Sequence, residues 1–128
     1  MTTPLRCLVI LAFLPYPIAW VAGFLRHRQF GSLDNKHPRQ QQAQLEGPGA
    51  RAQAAHANAW EALAVFTAAV VVTHLANADA DRAARLSQWF VATRILHPIL
   101  YVANLDVLRS IVFVGGLGCL VGLFGLAF

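Results

Sequence analysis

FVATRILHPILYVANLDVLRS, residues 90–110, sets the architecture of the chain. It begins as an apolar rod carrying Arg94, His97, Tyr101 and Asn104 at i, i+3, i+7 and i+10, a spacing that gathers polar groups into one stripe at 100° per residue. A tight turn follows around Asp106 and Val107, and a new apolar run opens at Leu108 with Arg109 and Ser110 at its head. Such a stripe cannot face hydrocarbon, because a charge at mid-membrane costs about 2.5 to 3.5 kcal/mol on the insertion scale. So short a link also makes the two helices an antiparallel pair.

On either side of this stretch the chain is apolar. Four segments, 5–25, 52–75, 83–105 and 108–128, come close to the roughly 20 residues that a helix needs to cross a bilayer core. Of the 128 residues, 57% are hydrophobic and 12% charged, with a mean hydropathy of +0.51, well outside the range of soluble domains of this length. The expected fold class is therefore all-α: one domain over 1–128, an integral membrane four-helix bundle. The first segment is too long for a signal peptide and is broken by Pro15 and Pro17, so it reads as a retained, kinked helix. Residues 26–51, rich in Gln and punctuated by Pro38, Gly47, Pro48 and Gly49, read as a loop.

A net charge of +4 and a pI near 9.8 raise the question of nucleic acid. The basic residues do not line one amphipathic face; they gather in the 26–51 loop, which points to topology and to no nucleic-acid partner. With Arg26, Arg28, Lys36, Arg39 and Arg51 in that loop and Arg109 after the last turn, the positive-inside rule makes the loop cytoplasmic and puts both termini on the opposite side. Trp20 and Trp89 read as interfacial anchors. Cys7 and Cys119, in apolar segments with no ligand spacing, read as packing or lipid-facing residues. His56, His74 and His97 lack an i, i+4 pairing, so no metal site is expected. Gly118 and Gly122 form a small-xxx-small pair suited to close helix packing within the chain or between copies.

The chemistry lies in the polar residues of the helices. RAQAAHANAWE, residues 51–61, puts Arg51, Asn58 and Glu61 on neighbouring parts of one face and turns His56 elsewhere. At about 1.5 Å per residue, Asn58 and Glu61 lie roughly 10 to 15 Å along their helix from Arg51. The next helix runs back, so His97, Tyr101 and Asn104 reach the level where Arg109 and Ser110 begin the last one. One carboxylate, two guanidinium groups (Arg94 and Arg109), an imidazole and a phenol make a net positive cluster suited to an anionic or zwitterionic ligand. The competing reading is an ion pair of Glu61 with Arg94 or Arg109 that only glues helices together. Pro98 removes the backbone bond to the Arg94 carbonyl and is expected to kink the helix there.

RAQAAHANAWEALAVF (51–66) and the 90–110 stretch together resemble the MAPEG family, membrane-associated proteins in eicosanoid and glutathione metabolism, and GSLDNKHPR (31–39) resembles its bacterial branch. The resemblance implies a homotrimer in a bacterial inner membrane, with glutathione as cosubstrate held between subunits. It also implies roles: Asn58 and Glu61 on the peptide part of glutathione, His97 and Tyr101 as further contacts, Arg109 and Ser110 beside the sulfur, and Arg26 or Arg28 on a carboxylate. Arg109 would lower the thiol pKa, and the ionised thiol would attack an apolar electrophile or a lipid hydroperoxide delivered by membrane lipids. Ala54 and Ala57 depart from the pattern, since glutathione-using relatives carry arginines around the second-helix histidine. That departure keeps open a non-catalytic binding or scaffold protein with another anionic or lipid ligand, and the polar stripe of the third helix keeps open a small transporter or channel subunit with a polar relay along it.

Overall fold

Proline and two left-handed asparagines punctuate the helices. Pro4, Pro15, Pro38 and Pro48 each stand in the first turn of a helix, where a missing N–H leaves no bond unmade. The computed structural model describes all 128 residues, Met1–Phe128, and contains helices and no strands. In order they are α1 (Thr3–Phe13), α2 (Pro15–Phe30), α3 (Pro38–Ala43), α4 (Gly47–Leu75), α5 (Ala80–Val102) and α6 (Asp106–Gly125). Helices α1 and α2 form one rod interrupted at Leu14, which keeps helical angles while Pro15 and Pro17 withhold two backbone donors.

Asn77 and Asn104 end α4 and α5 at φ 50° and 62°. In both, the next residue's N–H reaches back to close the helix, Ala78 to the Thr73 carbonyl at 3.2 Å and Leu105 to Leu100 at 3.0 Å, as in a Schellman cap. Asn104 therefore terminates α5, and it does not belong to the polar stripe in which its spacing had placed it. A left-handed backbone costs an ordinary L-residue about 1–2 kcal/mol. Asn104→Val is expected to lower stability by about that amount, whereas Asn104→Gly leaves thermal unfolding in detergent unchanged. Equal midpoints for the two variants would mean that residue 104 is not held left-handed.

The loop between α2 and α4 is shorter than the sequence pattern indicates, because α2 runs to Phe30, α4 starts at Gly47 and α3 lies between them. Its glutamines are structural. Gln29 donates to the Gln44 carbonyl and accepts from the Glu46 N–H, while Gln41 accepts from the Asp34 N–H and donates to the Ser32 carbonyl. The Asp34 carboxylate accepts from the N–H groups of His37 and Lys36 at 2.9 and 2.8 Å, and these bonds, His37's foremost, hold its pKa below the usual aspartate value.

Helix α5 packs along α6 and α4, α2 along α4, and α1 against α5 and α4. At the centre, the Phe66 and Phe90 rings stack with centroids 4.6 Å apart, joined by Leu11, Val70 and Leu123. Cys7 is buried in this core and Cys119 packs against it, both as free thiols. Only 23 residues are buried, and α6 turns Val107, Ile111, Val114, Leu117 and Val121 outward, a surface that water would not tolerate in a monomer.

Three stretches are long and apolar enough to cross a membrane: Thr3–Phe30, Gly47–Leu75 and Asp106–Gly125. The fourth segment expected from the sequence, α5, is not among them. Its average is lowered both by the buried Arg94 and His97 and by the exposed Asp81, Arg82, Arg85 and Gln88 near its start, while Trp89, Ile95, Leu96 and Ile99 turn outward.

Candidate functional site

Where α4, α5 and α6 converge near the α5–α6 turn, they enclose a cleft of about 520 Å³. Asn58 and Glu61 come from α4, His97 and Tyr101 from α5, and Arg109 and Ser110 from α6. Ala54, Ala57, Phe113 and Val114 complete the wall. The antiparallel α5–α6 hairpin creates this meeting, since the last turns of α5 stand beside the first turns of α6.

Within the cleft the Arg109 guanidinium lies over the Tyr101 ring, with its carbon 4.2 Å from the centroid. That stacking holds a flexible cation in place while leaving its N–H edges free for an anion. His97 meets the edge of Tyr101 at 5.6 Å and a tilted Phe113 at 6.1 Å, so the imidazole is wedged between two rings. The Ser110 hydroxyl donates to the Asp106 carbonyl one turn back at 2.9 Å. Glu61 is exposed at the mouth and makes no ion pair; the single ion pair of the chain joins Arg82 to Asp79 on the surface at 3.9 Å. The competing glue reading, which needed Glu61 against Arg94 or Arg109, is therefore not what the side chains do.

Arg94 sits one turn deeper, 5% exposed, between the faces of Phe90 and Phe113 at 5.4 and 5.6 Å. Its hydrogen bonds, to Asn58 Oδ1, the Val112 carbonyl and Thr93 Oγ1, are all 3.4 Å long. Room for it comes from Gly116, where a Cβ would fall 2.7 Å from the guanidinium and 2.9 Å from Thr93 Oγ1. Nothing in the sequence pattern singled out Gly116 from the other glycines of α6.

Residues 4–128 match the MAPEG family, essentially the whole chain. The chain belongs to the MAPEG family. Together with its three long apolar stretches, this makes it an integral membrane protein. No curated protein and no solved structure matches it.

In this MAPEG chain the remaining arginines lie outside the cleft lining. Arg51 Nε donates to the Val102 carbonyl at 3.2 Å, tying the start of α4 to the end of α5 and supporting the cleft from behind. Arg26 is buried beside α4 with its Nε lacking a partner, and Arg28 lies over Phe24 at 6.0 Å. His56 accepts from the Trp60 indole at 3.1 Å on another face, as its angular position requires. The residue that pattern reasoning missed in the cleft is Phe113, which looks like any apolar residue of α6. Its i+4 spacing from Arg109 was the available signal.

Proposed function

We propose that this MAPEG protein binds glutathione in the α4–α5–α6 cleft and activates its thiol for conjugation to apolar electrophiles or reduction of lipid hydroperoxides. The observation that carries the reading is the meeting of Asn58, Glu61, His97, Tyr101, Arg109 and Ser110, drawn from three helices, on one cleft. The donor set fits the ligand. Glutathione has one ammonium for the Glu61 carboxylate, peptide groups for Asn58, His97 and Tyr101, and a thiol for Arg109, with Ser110 as a second donor to the sulfur if it leaves its backbone acceptor. Neither Arg26 nor Arg28, the arginines expected on a carboxylate, lines this cleft within one chain, so such a contact would come from a neighbouring copy of the chain.

When bound, glutathione supplies the sulfur nucleophile. Arg109 contributes a fixed positive charge beside it, which favours the ionised thiol. The chain crosses the membrane four times, with α5 as the inward-polar crossing, places both termini opposite the cytoplasm, and assembles as a homotrimer whose neighbours cover the open side of the cleft.

Ala54 and Ala57 line the cleft where glutathione-using relatives carry arginine, and this favours a second reading, a non-catalytic protein with another anionic or lipid ligand. Calorimetric titration of the detergent-solubilised protein separates the two. Saturable glutathione binding is expected in the wild type and a loss of about tenfold or more in Asn58→Ala and Glu61→Ala, each of which removes a hydrogen bond to a charged or amide group. No heat at millimolar glutathione would sink the first reading and leave the second.

A further inference from the structure

The outer face of the α1–α2 rod has no partner in the chain. Phe13, Trp20, Phe24 and Arg28 follow one another at intervals of seven, four and four residues, which sets them along one side of the rod. The three rings are 67%, 76% and 62% exposed, whereas Ile18, Ala22 and Arg26 are buried on the side that packs along α4. Arg28 is exposed too and closes the row at its loop end, with its guanidinium carbon 6.0 Å from the centre of the Phe24 ring.

The turn that follows α2 adds to this charge. The Asp34 carboxylate accepts from the Lys36 and His37 N–H groups, and Gln41 clamps the turn from α3, so the backbone carrying Lys36 is fixed. Lys36 and Arg39 are both exposed, and Glu46 is the one exposed carboxylate between α2 and α4. None of these cations forms an ion pair. They stand where two apolar stretches, Thr3–Phe30 and Gly47–Leu75, leave the membrane.

We propose that this face seats an anionic phospholipid, with its acyl chains along Phe24 and Trp20 and its phosphate on Arg28, drawn in by Lys36 and Arg39. A guanidinium binds phosphate through paired N–H donors, and the stack over Phe24 presents those donors at the headgroup level. A zwitterionic lipid offers the same chains without net charge, so the basic residues carry the selectivity. Each contributes about fivefold to attraction by an anionic lipid surface. Trp20 lies eight residues from Arg28, about 12 Å along the helix, which puts its indole beside the acyl chains.

The test is quenching of Trp20 fluorescence by chain-brominated lipids in the full-length protein reconstituted in bilayers, with Trp60→Phe and Trp89→Phe removing the other indoles. Brominated phosphatidylglycerol in phosphatidylcholine is compared with the reverse mixture. Trp20 is expected to favour phosphatidylglycerol by about tenfold or more, Arg28→Gln to lower that ratio by about fivefold, and Arg28→Gln, Lys36→Gln and Arg39→Gln together to bring it near one. Equal quenching by the two lipids, or a preference that survives the triple substitution, overturns the seat. Absence of quenching by either lipid means that a second copy covers this face, and an equal preference at Trp89, read with Trp20→Phe and Trp60→Phe, means general attraction of charge; both overturn it. So does loss of the preference to millimolar glycerol phosphate, which would make the site one for a soluble anion. Native mass spectrometry of the wild type repeats the comparison without touching a tryptophan: phosphatidylglycerol should be retained over phosphatidylcholine of the same chain length, and equal retention overturns the seat.

Discussion

Arg109→Ala is expected to lower glutathione-dependent turnover by about 100- to 1000-fold at neutral pH, the range seen when a preorganised charge-stabilising donor is removed. The guanidinium is the cleft's own fixed positive charge, and its stacking on Tyr101 holds it in position without saturating its donors. A free thiol has a pKa of about 8.5 and is mostly protonated at pH 7; a nearby cation lowers that value. The sign of the pH dependence follows. In the variant the thiol returns to its ordinary pKa, so the rate should climb about tenfold per pH unit toward that value and then level off. In the wild type the rate should level off at lower pH. Stopped-flow measurement of the ultraviolet thiolate absorbance together with turnover checks both statements, and parallel pH profiles for the two proteins would remove Arg109 from the thiol's surroundings. Arg109→Lys, which keeps the charge but loses the planar stack on Tyr101, should fall between them.

Gly116→Val is expected to lower the stability of the protein by about 1–3 kcal/mol, read as a drop of several degrees in thermal unfolding in detergent. A side chain at that position would enter the space of the Arg94 guanidinium and the Thr93 hydroxyl, and both are confined: Arg94 lies between two phenyl faces, and Thr93 Oγ1 donates to the Phe90 carbonyl. The displaced guanidinium would also lose its contacts with Asn58 and the Val112 carbonyl. Gly118→Val is the matched control, since no atom lies within 4 Å of a Cβ there. A small change at Gly118 with a large one at Gly116 supports the seat for Arg94. A loss at Gly118 as large as at Gly116 would instead mean that a second copy packs on that face of α6.

The Gly118 and Gly122 pair shows where pattern reading and packing part company. The spacing suggests one close helix contact, yet the two glycines do different things: Gly118 faces open space, whereas a Cβ at Gly122 would fall 3.1 Å from the Leu86 side chain. Small residues four apart share a helix face, but the neighbour that lies against each level of that face is set by helix crossing, which no local pattern encodes. Asn104 teaches the same lesson from the other side. Its i+10 spacing from Arg94 predicted a place in the stripe, while the backbone needed a left-handed residue to end α5 and used it there.

Most of the site was legible for a physical reason. A polar residue in an apolar helix is costly unless something receives it, so Asn58, Glu61, His97, Tyr101, Arg109 and Ser110 stood out from their surroundings, and helical rise with the α5–α6 hairpin put them at one level. Helical class, an apolar chain too hydrophobic for water, and convergence on one cleft all follow from residue order, because they depend on period, length and transfer cost. Three-dimensional packing alone settled that Glu61 stays open at the mouth while Arg94 is drawn between Phe90 and Phe113, and that Arg51 braces α4 against α5. Which arginine is buried and which acid is left free depends on the neighbour facing each one across helices, a long-range property of the folded chain.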